Sequence, residues 1–374
     1  MTGNDTKSFH SYRLGNMFNV HLQDGICPEL QEKIEHCRAD AEPAHLTIAK
    51  GDSRPNMFHY PQQKLHFVDD DFFPVVVAWP PVADELLVSD GRYEVVWQDG
   101  VYEISPSKVI ISGGVVDSFL EHQVLRPLIN SALVPQGALL VHGGAVRIDG
   151  KVILILGESG KTSIILGLMA QGADYLGDEH VFLDTKGVCT TYTPYLDMDD
   201  RHFVLFPELL DTCYPDRHER SKVERRLSFF RMGGNLRGGN FLSRQLRELL
   251  TTRSYFKGLT CRFDRPFPQV KMCEPTPITH VFHLEASQKK ENVFPTTAMD
   301  IARVETASTW IHQGYNYQMA RLAGMPHLEL PMMEQVFAEA LSHAECNRLR
   351  VRLRQQRTKE DVDRRIDEII RTIG

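Results

Sequence analysis

The chain has 374 residues, 42% of them hydrophobic and 24% charged, with a formal net charge of -7 at pH 7; this is the composition of a soluble globular protein long enough for two or three domains. The negative balance argues against a chain-wide binder of nucleic acid or of an anionic membrane, since both partners require positive patches, and no apolar run approaches the ~20 residues that span a bilayer. Seven scattered cysteines without a C-x-x-C pair indicate neither a zinc site nor a disulfide framework, and the polar first residues lack the apolar core of a signal peptide, so the expected location is cytoplasmic.

Residues 1–130 read as a β-rich accessory domain. Tyr12 to Leu22 alternates in part between apolar and polar residues, Pro28 to Arg38 reads as a helix, and Phe72 to Trp79 is a dense apolar run. Tyr93 to Trp97 and Val101 to Ile104 flank Gln98-Asp99-Gly100, a hairpin signal because Asp-Gly accepts the positive φ of a tight turn. Val115 to Ser131 carries a helical stripe in Phe119, Val124, Leu125 and Leu128, and Pro127 is expected to kink it or to begin a second segment. The histidines of this region lack the spacing of metal ligands.

Leu140 to Asp184 carries the chemistry. An apolar segment ends at His142, and a second, Val152 to Leu156, has the β-branched character of a buried strand. Gly157-Glu158-Ser159-Gly160-Lys161-Thr162-Ser163 follows, and then Ile164, Ile165, Leu168 and Met169 recur at helical spacing. Strand, glycine turn, Lys-Thr and helix make a phosphate site. The glycines let backbone N–H groups turn toward an anion, and the helix N-terminus adds the positive end of its dipole. Lys161 supplies charge for the outer phosphates and Thr162 a hydroxyl for Mg²⁺. The turn is two residues shorter than G-x-x-x-x-G-K-[ST], because only Glu158 and Ser159 separate its glycines, and it offers fewer inward amides.

After a helix ending near Gln171-Gly172, Ala173 to Leu176 reads as extended and Gly177-Asp178-Glu179 follows. Parallel neighbouring strands deliver their C-terminal ends to one sheet edge, which is expected to bring Asp178 and Glu179 to the phosphates. One acid then holds Mg²⁺ and the other takes a hydroxyl proton. The pair also suits a solvated strand end.

Together, His142-Gly143, the turn from Gly157 to Thr162, and Gly172-Ala173-Asp174-Tyr175-Leu176-Gly177-Asp178-Glu179 resemble the P-loop core of HPr kinase/phosphorylase and its kinase relatives. In that family a His-Gly precedes the nucleotide strand, the loop has the form G-[DE]-S-G-x-G-K-[ST], and a paired acid follows the next strand. The resemblance implies ATP- and Mg²⁺-dependent phosphorylation of a serine hydroxyl on a small protein or peptide. By it, Lys161 corresponds to the phosphate-binding lysine, Thr162 to the metal-binding hydroxyl, Asp178 to the base and His142 to a histidine near the phosphates. Glu179 stands where the family has a second aspartate and is assigned with Thr162 to the metal; Gly157 to Ser163 form the ATP-binding turn. The family's x-G before the lysine is absent here. A homo-oligomer is expected, with no nucleic-acid or membrane partner.

Downstream, Thr191 to Asp200 reads as a loop, Arg201 to Leu210 as an apolar segment able to continue the sheet, and Asp211 to Arg226 as a charged face or a substrate loop. The two Gly-Gly-Asn units between Arg231 and Asn240 suit either a phosphate-facing loop or a surface turn. Phe241 to Leu250 reads as an amphipathic helix and Ile278 to Leu284 as a strand. From Thr297 onward the chain is expected to be mainly helical, with Arg348, Arg350, Arg352, Arg354 and Arg357 spread around an exposed helix.

The expected architecture is α/β: a β-rich accessory domain over 1–130, an HPr kinase-like P-loop core with mixed sheet and flanking helices over 131–296, and a helical region over 297–374. The rival functional reading is a catalytically degenerate nucleotide-binding regulator or scaffold, on the ground of the short turn. A phosphoenolpyruvate carboxykinase-like enzyme shares a related P-loop, but no segment here supplies its metal and substrate ligands.

Overall fold

The computed structural model describes residues 8–39, 43–51, 62–66, 74–78, 93–97, 100–115, 117–157, 160–199, 202–235, 258–287, 292–309, 328–352 and 358–374. The fold is mixed α/β. It divides into two compact units, each assembled from separated segments. The first comprises Met1–Val141, Phe182–Gly187 and Ala298–Leu341, and the second His142–Val181, Val188–Thr297 and Ser342–Gly374. No helix among the described residues is long and apolar enough to cross a membrane.

The first unit is organised by an eight-stranded sheet of order β1-β2-β3-β8-β7-β6-β5-β4. Its strands are β1 (Phe9–Leu14), β2 (Phe18–Gln23), β3 (Leu46–Lys50), β4 (Gln62–His66), β5 (Pro74–Ala78), β6 (Tyr93–Trp97), β7 (Gly100–Ser105) and β8 (Lys108–Gly113). β3 runs parallel to both its neighbours, and the other pairings are antiparallel. Tyr12, Leu14, Phe18, Val20, Leu22, Leu46, Ile48, Tyr102, Ile104, Val109 and Ile111 are buried at every second position, the period of side chains alternating across a pleat. The partial alternation from Tyr12 to Leu22 is therefore a hairpin, turned at Gly15 and Asn16 with φ of 55° and 61°. Helix α1 (Pro28–Ile34) starts on its proline. A π-helical segment at Leu120–Leu125 runs without a break into α2 (Arg126–Leu133), and Pro127, which has no N–H to give, sits just past the junction. β9 (Ala138–Val141) and helices at 298–309 and Leu330–Leu341 complete this unit.

In the second unit, β10 (Gly144–Ile148) and β11 (Lys151–Leu156) form a hairpin that closes at Ile148 and Lys151. Asp149 and Gly150 between them have φ of 50° and 76°, the two positive values that a two-residue turn needs to match the strand twist. Helix α3 (Lys161–Ala170) carries the chain to β12 (Asp174–Gly177), which pairs antiparallel with β10. β11 and β12 therefore run parallel but are not neighbours, contrary to expectation, because β10 lies between them. The start of β10 and the ends of β11 and β12 all fall on one edge of the sheet.

The remaining strands are β13 (Val181–Asp184), β14 (Val188–Thr191), β15 (Tyr195–Asp199), β16 (Gly258–Arg262), β17 (Thr276–Pro277), β18 (His280–Ser287), β19 (Val293–Pro295) and β20 (Glu345–Arg352). The central sheet has the order β12-β10-β11-β18-β20-β19, with β11, β18 and β20 parallel. Three expectations are corrected. Residues 195–199 are a strand paired with β16, not a loop. Residues 202–213 form short helical turns rather than more sheet. Glu345–Arg352 is an inner strand of the sheet, not part of a helix: buried Leu349 and Val351 alternate with the partly exposed Arg348 and Arg350, the period of two of a strand. The charged stretch continues into helix α4 (Arg217–Asn235); the rest of the glycine-rich segment and the helix expected over Phe241 to Leu250 lie outside the described residues.

Helix α3 is apolar on all sides and correspondingly buried on all sides. Its Ile164, Ile165, Leu168 and Met169 join a core with Val146, Ile153, Ile155, Phe282, Leu349 and Val351 of the sheet. Helix α5 (Lys359–Ile373), capped by Thr358 in a reciprocal pair with Asp361, adds Val362, Ile366, Ile369 and Ile373 from a single stripe. Each such side chain contributes roughly 1.5–3 kcal/mol on burial. Gly167 gives α5 its place, since a Cβ there would lie 2.2 Å from Ile366 Cδ1. The body of α3 is thereby packed against both the sheet and α5.

Candidate active site

The chain leaves β11 through Gly157, whose φ is 102° and where a Cβ would sit 2.5 Å from the Leu284 carbonyl oxygen. Both conditions demand glycine. Gly157→Ala is expected to destabilise the protein by about 1–3 kcal/mol, read as a lower urea midpoint; an unchanged midpoint would show that the turn is not held this way. Glu158 and Ser159 lie outside the described residues. Gly160, with φ of 100°, caps α3 and hands the chain to Lys161, Thr162 and Ser163, all buried. The first N–H groups of a helix have no partner within it, so this end of α3 offers donors and a positive dipole end together.

The Lys161 ammonium is folded back on its own turn. It donates to the Gly157 carbonyl at 2.7 Å and lies 3.2 Å from His142 Nε2. The same Nε2 lies 2.9 Å from Glu179 Oε1. One ring nitrogen cannot donate to Glu179 and accept from Lys161 at once, so the proton on His142 decides which of them it binds. On its other side the His142 ring stacks on buried His180, with centroids 5.2 Å apart.

The proton affinities of the two acids are shifted in opposite directions. Asp178 is only 1% exposed; its carboxylate accepts from the Thr162 hydroxyl at 3.1 Å and from the Asp197 N–H at 3.1 Å. Burial, and then the neighbouring Glu179 charge, push its carboxyl up to about 7, against the opposing pull of the Asp197 N–H. For Glu179 burial also disfavours the charge, but His142, with Lys161 and His180 behind it, wins and holds that carboxyl well below the usual carboxylate range. Glu179 is reached through a backbone φ of 64°, a strained value for a residue with a side chain.

The structure thus gathers Lys161, Thr162, Asp178, Glu179 and His142 at one sheet edge. Sequence reasoning missed Tyr175, His180 and Asp197. Tyr175 and His180 sat inside the motif-bearing stretch without a role, and Asp197 had no local signal, because β15 reaches the acids only through the tertiary fold. Among the described residues no group of three or more His, Cys, Asp or Glu side chains gathers as a metal cage. Mg²⁺ in phosphate sites takes one or two protein oxygens and completes its shell with phosphates and water; the Thr162 hydroxyl and the two carboxylates are hard oxygen donors of that kind. Neither a family model nor a curated protein matches the chain.

Proposed function

We propose that the second unit carries an ATP- and Mg²⁺-dependent phosphotransferase of the HPr kinase kind, acting on a serine-type hydroxyl of a small protein or peptide. The observation that supports it best is the meeting of Lys161, Thr162, Asp178, Glu179 and His142 at a helix N-terminus through contacts of 2.9–3.2 Å. Phosphoryl transfer asks a protein mainly for positioning and charge neutralisation. In this reading Lys161 moves its ammonium from the Gly157 carbonyl to the outer phosphates, and the N–H groups of the first turn of α3 face them. Thr162 and Glu179 would hold Mg²⁺, which would supply neutralisation of phosphate charge.

Asp178 receives the acceptor's proton as the acceptor oxygen bonds to the γ-phosphorus and the bond to the leaving ADP oxygen breaks. A carboxyl at about 7 is matched to proton acceptance near neutrality, whereas an ionised Glu179 suits a cation; environments that separate two adjacent acids in this way divide the roles between them. His142 orients Lys161 or Glu179 according to its proton.

Isothermal titration with ATP and MgCl₂, followed by an ATP-hydrolysis assay, tests this reading. Binding with turnover is expected, and absence of binding at millimolar ATP would overturn it. One observation favours the rival, a catalytically degenerate nucleotide-binding regulator or scaffold: the short turn leaves the lysine satisfied by its own Gly157 carbonyl. Binding without turnover, with or without a lysate as acceptor source, would select that rival.

A further inference from the structure

Tyr175 on β12 has no part in the chemistry above. Its ring is fully buried and stacks on Phe263 with centroids 4.5 Å apart, so packing alone accounts for the ring. The hydroxyl needs another account. Its oxygen accepts the backbone N–H of Asp178 at 3.0 Å and stands 2.9 Å from the Tyr195 carbonyl and 3.0 Å from that of Thr193. A phenol has a single proton to give, so the two carbonyls share it while the Asp178 N–H takes a lone pair. The Tyr175 backbone is itself pinned on both sides, donating to Lys271 O and accepting from Cys273 N at 2.8 Å each.

One buried oxygen therefore joins the turn that bears the acids to the stretch that leads into β15. That stretch supplies the Asp197 N–H, which holds the Asp178 carboxylate at 3.1 Å. Asp178 is thus gripped at its backbone by Tyr175 and at its side chain by Asp197, and the Tyr175 hydroxyl sets the distance between the two grips. The next residue, Glu179, sits at a strained φ, which persists only where the surroundings over-determine it.

We propose that Tyr175 is the positioning residue of this site, its hydroxyl aiming the Asp178 carboxyl at Thr162. The catalytic consequence rests on the phosphotransfer reading; the hold on Asp178 does not. Tyr175→Phe keeps the ring on Phe263 and removes one oxygen. For MgATP hydrolysis by the full chain, kcat should fall roughly tenfold or more while KM stays within about threefold, the split left by an interaction that matters to the chemical step. By NMR, amide exchange at Asp178 and Asp197 should quicken roughly tenfold while α3 is unaffected. A merely structural tyrosine would lower the melting temperature but leave kcat of the folded protein and the local pattern of exchange alone.

If kcat and Asp178 exchange in Tyr175→Phe both match the wild type, the proposal is overturned and the phosphotransfer reading stands. If the wild type neither binds nor hydrolyses ATP, that reading falls, and exchange at Asp178 still decides whether Tyr175 holds the turn. Should the variant not fold, the wild type decides: an Asp178 amide that exchanges as fast as an exposed one overturns the proposal, and a protected one supports it.

Discussion

On the phosphotransfer reading, replacing Lys161 with methionine is expected to lower ATP hydrolysis by roughly a hundredfold or more, the loss of about 3 kcal/mol of charge stabilisation. Lys161 is 4% exposed, so its aliphatic stem is part of the packing, and methionine keeps that stem while deleting the ammonium. The deletion also frees the Gly157 carbonyl and His142 Nε2, the two groups the ammonium touches. His142 is then expected to side with Glu179 alone. The fold should survive, because the core around Ile164, Ile165 and Leu168 does not involve the charge. Steady-state hydrolysis with MgATP, beside a thermal melt, measures both effects; turnover within threefold of the wild type would remove Lys161 from the phosphate site.

Asp178→Asn is the second large effect, and it separates chemistry from stability. On the same reading, a general-base contribution puts the fall in transfer rate at roughly a hundredfold or more, with ATP affinity changed only a few-fold. Stability should move the other way. The Asp178 carboxyl lies at about 7 in the folded protein against an ordinary value of 3.8, so the folded state binds that proton more tightly than the unfolded chain does. The corresponding stabilisation is full below pH 3.8 and is lost as pH rises through about 7. Above that, the wild type carries a buried charge that asparagine lacks. The variant should therefore be more stable than the wild type at pH 8.5, by on the order of 2–4 kcal/mol, and nearly equal to it at pH 4. Urea unfolding at the two pH values tests this, and a difference that does not grow with pH would show that Asp178 is ionised as easily as an exposed carboxylate.

Much of the site was legible because its parts are local. Val152 to Leu156 is a strand by its β-branched run, Gly157 and Gly160 mark positive φ, and Ile164 to Met169 are helical by spacing; each follows from the residues themselves. The hairpin before them was equally legible and went unread: Asp149-Gly150 is as good a turn signal as Asp99-Gly100, and it is what inserts β10 between β11 and β12. β20 was misread for a different reason. Its arginines suggested a charged helix, whereas the long stems leave Arg348 and Arg350 partly exposed and Leu349 and Val351 fill the core.

The amino-acid sequence by itself determined the turn, the lysine, the hydroxyl and the adjacent acids, since dihedral preference and side-chain period act over a few residues. Only the tertiary structure decided what Asp178 and Glu179 are. In the chain they are neighbouring carboxylates with almost the same ordinary affinity for a proton. Folding buries one beneath Tyr175 and the Asp197 N–H and sets the other against His142 and Lys161, partners up to 37 residues away in sequence. Protonation depends on solvent exclusion and on charges within a few ångströms, and both are properties of the packed site that no local pattern contains.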